Sequence, residues 1–255
     1  MSEMSERVLV SVAGGVLTAT LNRSEKRNAI DTPMIDALVA ALERADLDAG
    51  VRVVALRGAG RDFCAGMDLQ ELLASADHTV EQNRQAALRF AGVFVRMRAL
   101  PKPVIALVHG RALAGGCGLA TGCDLILAAE SAQFGYPEVQ RGFVPAIVMT
   151  MLRRTVGEKV AFDLAATGRL LDATEAAAVG LVSRVYEDAD FEEQASDVLR
   201  ALATGSASAL AFTKQQFYQL EGLSFEDGIR LGVDVNAVSR STPDFRAALT
   251  AFLKE

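Results

Sequence analysis

The chain has 255 residues, 51% hydrophobic and 23% charged, which fits one large domain or two small ones with a substantial core and excludes a disordered chain. Its formal net charge of −6 gives no general attraction to nucleic acid or an anionic membrane, so an anionic ligand needs a local basic site. Cys64, Cys117 and Cys123 are the three cysteines, an odd and sparse set that implies no disulfide framework and lacks the histidine or CxxC partner of a zinc site.

The opening MSEMSERVLV has no basic segment followed by an apolar run, so no secretory leader is predicted. VLVSVAGGVLTATL then places two β-rich runs around Gly14-Gly15, the pattern of a hairpin. Asp31-Thr32-Pro33 reads as a helix start, with apolar residues following at Ile35, Leu38, Val39 and Leu42. A buried strand is expected over 51–58, a long amphipathic helix over about 80–100 that Pro101 and Pro103 end, and further strands over 103–110 and 124–130. The most apolar stretch, 103–129, is broken by His109, Arg111, Asp124 and many glycines, so it is not a membrane span. Past residue 144 the pattern turns helical, with helices predicted over 145–157, 159–166, 190–203, 207–220, 225–239 and 243–253, and one late strand over 181–185. This order predicts an α/β core followed by a helical extension.

Two glycine-rich segments follow strands: RDFCAGMDL (61–69) and HGRALAGGCGLATGCDL (109–125), the second starting a helix near Gly115-Gly116. Each alone reads more readily as a tight turn feeding a helix. Neither has the spacing of a phosphate loop. Glycines allow backbone N–H groups to approach a ligand, and two such donors from separate loops can converge on one oxygen.

NRSEKRNAI (22–30), FCAGMDL (63–69), HGRALAGGCGLATGCDLILAA (109–129), FGYPEVQRG (134–142), TGRLLDATEAAAVGLVSRV (167–185) and TPDFRAALTAFLKE (242–255) occur in the order and spacing of the enoyl-CoA hydratase/isomerase (crotonase) superfamily, which the chain therefore resembles over nearly its whole length. The resemblance implies a spiral of ββα turns over residues 1–200, a helical C-terminal region over 201–255 used for trimerisation, and a homotrimer or hexamer. It implies an acyl-CoA substrate, with coenzyme A as part of the substrate and no separate cofactor or metal. It places the N–H groups of Met67 and Gly115 on the thioester oxygen and Glu138 as the acid/base. Lys26 and Arg27 would meet the CoA phosphates or pantetheine, and Ala65, Gly66, Asp68 and Leu69 would border adenine and pantetheine, mostly through backbone.

One departure stands out. Hydratases of the family use two glutamates; this sequence keeps the second, Glu138, and has Gly118 at the first. Two carboxylates can divide water activation and proton delivery, whereas one suits a shuttle that moves a proton between two carbons, as in shifting an enoyl-CoA double bond from the 3,4 to the 2,3 position. Gly118→Glu should then raise the ratio of hydration to isomerisation if the pocket tolerates the side chain. GFVPAIVMTM (142–151) replaces a glycine-rich stretch of many relatives and predicts a bulkier, more apolar wall. Alternatives stay open: a hydratase using Glu138 and water, another superfamily reaction, or a weakly catalytic acyl-CoA- or RNA-binding homologue, the last disfavoured by the acidic charge. His109 reads as packed, His78 as solvated and Cys64 as a small buried residue; Tyr136 is open between pocket lining and core. A cytoplasmic, non-membrane protein is expected.

Overall fold

The computed structural model describes residues 7–254; of the segment read as leader-free, residues 1–6 lie outside the described ones. The predicted hairpin is β1 (Val8–Ala13) and β2 (Val16–Leu21), paired antiparallel from Val8↔Leu21 to Ala13↔Val16. Gly14 and Gly15 both take positive φ, as a two-residue turn between twisted strands requires. Asp31 caps α1 (Thr32–Leu47) by accepting from the Met34 N–H, with Pro33 in the first turn. After β3 (Val53–Gly58) come α2 (Leu69–Ala74) and α3 (Val80–Ala99), the latter opened by a Thr79–Gln82 capping box.

The chain then repeats one pattern: a strand in a main sheet, a short strand in a second sheet, and a helix. β4 (Val104–Val108), β5 (Arg111–Leu113) and α4 (Gly115–Thr121) form one turn. β6 (Leu125–Ala129) and β7 (Gln133–Gly135) begin the next, which reaches α5 (Met149–Thr155) and α6 (Glu158–Thr167). β8 (Leu170–Asp172), α7 (Ala173–Ala178) and β9 (Arg184–Tyr186) follow, then α8 (Phe191–Thr204), α9 (Ala207–Gln219), α10 (Phe225–Ser239) and α11 (Pro243–Phe252). The main sheet runs β1-β2-β3-β4-β6-β9, parallel from β2 onward, and the second sheet runs β5-β7-β8. This is the expected spiral of ββα turns with a helical extension.

The pleat of the main sheet explains its two cores. Val53 and Ala55 point to one face with Ile105, Leu107 and Leu127, where Phe191, Ala195, Leu199 and Ala203 of α8 cover them. Val54 and Leu56 point to the other, packed with Met34, Phe90, Phe134 and Tyr136. The division expected at 200/201 therefore falls inside α8; the helices lying beyond the sheet begin with α9.

Three expectations need correction. The helix predicted over 145–157 is shorter, Met149–Thr155, because the chain before it runs as a turn: the N–H groups of Thr150 and Met151 bond to the carbonyls of Ile147 and Val148, three residues back rather than four. The late strand is Arg184–Tyr186 rather than 181–185, since the N–H groups of Leu181 and Val182 both bond to the Ala176 carbonyl and close α7 instead. β5, β7 and β8, three residues each, were not predicted at all.

Lys214 ties α9 to the core. Its buried Nζ donates to the carbonyls of Met97 (2.8 Å) and Lys102 (2.9 Å) and to the Asp124 carboxylate (2.7 Å), whose other oxygen accepts from Tyr218 Oη at 2.6 Å. Phe217, Phe225, Val233, Val238 and Phe252 of α9–α11 stay exposed. Among the described residues no helix is long and apolar enough to cross a membrane.

Candidate active site

The site is assembled by three backbone segments laid side by side. Asn28 anchors the first. Fully buried, it accepts from the Arg23 N–H through Oδ1 and donates through Nδ2 to the carbonyls of Ala59 and Asp62. The segment after it pairs with the first glycine loop: Ala65 N–H donates to Arg27 O (2.9 Å), Ile30 N–H to Gly66 O (2.8 Å) and Asp68 N–H to Ile30 O (2.8 Å). On its other side the same loop pairs with β5, Cys64 N–H donating to Arg111 O and Leu113 N–H to Cys64 O.

Extended backbone alternates its polar groups: Gly66 O and Asp68 N–H both bond to Ile30, so the intervening Met67 turns its N–H away, and it has no backbone acceptor among the described residues. Gly115 is the first residue of α4, and its N–H has no partner within the helix. The two loops touch. A Cβ on Gly66 would lie 2.9 Å from Ala114 Cβ and 3.4 Å from the Gly115 nitrogen, and one on Gly115 would lie 3.6 Å from Met67 Cγ. Glycine at 66, with φ +99, is what permits this approach. Ala114 itself holds φ 49, ψ −127, a conformation that costs an alanine about 1–3 kcal/mol and that its N–H bond to Gly135 O (2.8 Å) helps to maintain. Strain thus accompanies the presentation of the Gly115 N–H. Two free donors on adjacent loops can hold one oxyanion.

Glu138 sits in a 3-10 turn, Pro137–Arg141, directly after β7. It is only 7% exposed, and its Oε2 is buried without a hydrogen-bond partner. Burial pushes its carboxyl above the ordinary range, against weaker opposing effects from its own backbone N–H and from Arg141. A buried, unpaired carboxylate of raised pKa has the properties of a general base. Tyr136 is fully buried in the core, its hydroxyl bonded to Thr121 Oγ1 at 2.7 Å.

Gly118 lies in α4, and the space beside it is taken. A Cβ there would lie 2.1 Å from Val148 Cγ1 and 2.7 Å from Val148 Cβ. The expectation that Gly118→Glu alone could supply a second carboxylate is therefore corrected: Val148 already fills that place.

The other residues singled out in the sequence distribute as follows. Lys26 and Arg27 are exposed, in and just after the 3-10 turn Ser24–Lys26, with Arg27 Nε 4.0 Å from Asp62 Oδ2. Ala65 is half-buried, Gly66 buried, and Leu69 exposed at the start of α2. The Asp68 carboxylate is committed to the protein: it meets Arg23 Nη2 at 2.9 Å and caps α2 by accepting from the N–H groups of Gln70 and Glu71. Burial opposes its ionisation, but these bonds outweigh it and hold the carboxyl below the usual range. His109 is packed, Nε2 lying 2.8 Å from Gly60 O. His78 is exposed, and Cys64 is buried with its thiol pushed up to about 12 by burial. Among the described residues no group of three or more His, Cys, Asp or Glu could hold a metal.

Sequence reasoning missed Arg23, buried between Asp31 (3.3 Å) and Asp68 (2.9 Å), which fixes the entry to both the basic turn and the first loop. Its position three residues before a basic pair hid it among solvent-facing charges. It also missed that Val148 touches Gly118; only the apolar character of 146–149 was legible.

A family model described as Enoyl-CoA hydratase/isomerase matches residues 11–255. The chain is 40% identical over 242 residues to a putative enoyl-CoA hydratase of Thermus thermophilus, covering 95% of this chain and 96% of that protein. It is 34% identical to the 1,2-epoxyphenylacetyl-CoA isomerase of Escherichia coli, over 98% of this chain and 96% of that one. The crystal structure of an enoyl-CoA hydratase from Mycobacterium smegmatis superposes with a TM-score of 0.93 at 32% identity, covering 97% of this chain and 96% of the other.

Proposed function

The chain belongs to the enoyl-CoA hydratase/isomerase family, whose enzymes act on CoA thioesters, and from that premise we propose that it isomerises enoyl-CoA double bonds with Glu138 as its one acid/base group. The thioester oxygen sits between the N–H groups of Met67 and Gly115. Glu138 takes a proton from C2 of a 3-enoyl-CoA; the electron pair spreads onto the thioester oxygen and through the 3,4 double bond to C4. Glu138 then returns the proton to C4, leaving the double bond at 2,3. The two donors stabilise the negative charge on oxygen, by roughly 3–4 kcal/mol each on the mutational scale for such groups. Lys26 and Arg27 engage the CoA phosphates, and Ala65, Gly66, Asp68 and Leu69 border adenine and pantetheine chiefly through backbone.

The observation that carries this reading is a buried, unpartnered Glu138 with an apolar side chain, Val148, where a second carboxylate would stand. A second reading, addition of water to a 2-enoyl-CoA with Glu138 activating the water, is favoured by the name of the Thermus thermophilus relative. Turnover of a panel of 2-enoyl, 3-enoyl and aromatic acyl-CoAs in heavy water, read by mass spectrometry, separates the two. Assembly as a trimer or hexamer belongs to the same proposal, supported by the exposed apolar side chains of α9–α11. Cytoplasmic residence is also proposed, with three free buried thiols in support.

A further inference from the structure

One segment that leaves the Glu138 turn otherwise has no assigned role. Residues 143–148 run from the Glu138 turn to α5, fastened at one end by the Phe143 N–H on Glu138 O (3.1 Å) and at the other by the N–H groups of Met151 and Leu152 on Val148 O. Val148 is the N-cap residue of α5 and is 3% exposed. Its side chain is driven into α4 at Gly118. Gly118 lies one turn after Gly115 in α4, and the segment bearing Val148 leaves the Glu138 turn, so the Gly118–Val148 contact joins the helix that presents the Gly115 N–H to the stretch of chain that follows the carboxylate.

We propose that Val148 is a specificity-determining residue: from another segment it fills the volume that a side chain at position 118 would occupy, and it thereby closes the acid/base site to a second polar group and to water. The inference rests on the isomerase reading above. An isopropyl group offers no donor or acceptor, and a buried water needs two to four polar partners to persist. A bare glycine at 118 without Val148 would leave a cavity open beside the base, where water could compete with C4 for the proton chemistry.

The geometry is specific about what relieves the block. A Cβ at 118 stands 2.1 Å from Val148 Cγ1, 2.7 Å from Val148 Cβ and 3.8 Å from Val148 Cα. Alanine at 148 therefore still leaves a contact that is too short. Glycine at 148 leaves only ordinary van der Waals contact, and glycine is accepted at an N-cap at little cost. In hydration, water adds its hydroxyl to C3 and a proton to C2 of the 2-enoyl-CoA, consuming the double bond without any other reactant; that is the product to look for.

The test compares wild type, Gly118→Glu, Val148→Gly and the double variant, with Gly118→Ala and Gly118→Ala/Val148→Gly as smaller versions should the glutamate variants fail to fold. Melting temperature reads the steric coupling. Gly118→Glu and Gly118→Ala should each lower Tm by roughly 3–10 °C, and adding Val148→Gly should restore part of that loss. Adding Val148→Ala to Gly118→Ala should restore less. The ratio of 3-hydroxyacyl-CoA to isomerised enoyl-CoA, which does not depend on the amount of folded enzyme, reads specificity. It should rise at least about tenfold in Gly118→Glu/Val148→Gly over wild type, a conservative figure for a placed acid/base group. Full stability of Gly118→Ala, or no recovery on adding Val148→Gly, overturns the inference. So does a stable double variant whose product ratio is unchanged. A wild type that hydrates without isomerising is a different failure: it overturns the isomerase reading, and the proposal with it, whatever the melting temperatures show about packing.

Discussion

Replacing Glu138 by glutamine separates charge from shape at the centre of the site. The two side chains are nearly isosteric, and Glu138 Oε2 has no hydrogen-bond partner to lose, so the variant should fold and bind acyl-CoA with KM within about threefold of wild type. Turnover should fall at least roughly 100-fold, the lower end for loss of a general acid/base and equal to about 2.7 kcal/mol of barrier. Stability gives an independent readout. Because burial raises the folded-state pKa of Glu138 above its unfolded value, the folded protein holds this proton more tightly than the unfolded chain. The contribution is fully present below the unfolded pKa and is lost as pH rises through the folded one. Glutamine does not titrate, so the Tm of Glu138→Gln relative to wild type should climb from about pH 4 to about pH 8. The limb of the wild-type kcat/KM profile that reports the free base should lie above the usual carboxylate range. Turnover above a tenth of wild type would show that Glu138 is not the base, and a Tm difference flat across that pH range would show that it is not a destabilised carboxylate.

The double variant Lys26→Ala/Arg27→Ala should raise KM with little change in kcat, since exposed phosphate contacts serve ground and transition state alike; its deficit should shrink at high salt, and an unchanged KM removes the assignment. Arg23→Ala should destabilise by about 3–5 kcal/mol, because it strands the buried Asp68 carboxylate; chemical denaturation showing less than about 1 kcal/mol would contradict this. Asp68 is held below its ordinary pKa, so its stabilisation is present above the unfolded value and is lost as pH falls through the folded one; this acid sensitivity should weaken in Arg23→Ala. Sedimentation should find a trimer or hexamer at micromolar concentration, and a stable monomer would refute the role given to the exposed face of α9–α11.

What could be read from the sequence follows from how local each signal is. The β1–β2 hairpin and the start of α1 rest on Gly14-Gly15 and on Asp31 with Pro33, whose geometry is settled within a few residues. α3 and β4 are long or strongly apolar, and Pro101 and Pro103 separate them. β5, β7 and β8 are strands only because each finds a partner across the second sheet; three residues carry no period of their own. The motif residues Met67, Gly115 and Glu138 could be named from the sequence, but not the reason the Met67 N–H is free, which lies in the bonds of Gly66 O and Asp68 N–H, on either side of it, to Ile30. Arg23 looked like one charge among several in a turn, and only packing reveals it as the link between Asp31 and Asp68. The absence of a carboxylate at Gly118 was plain, whereas its replacement by Val148 depends on two helices meeting, which no local pattern encodes.

The central claim, one carboxylate shuttling one proton, is tested most directly by following wild-type enzyme with a 3-enoyl-CoA and, separately, with the matching 2-enoyl-CoA in heavy water. The account predicts that the 3-enoyl ester converts to the 2-enoyl ester faster than any 3-hydroxyacyl-CoA accumulates, and that the 2-enoyl ester gains little mass from added water. Rapid formation of 3-hydroxyacyl-CoA from the 2-enoyl ester, with no interconversion of the two enoyl esters, would contradict it.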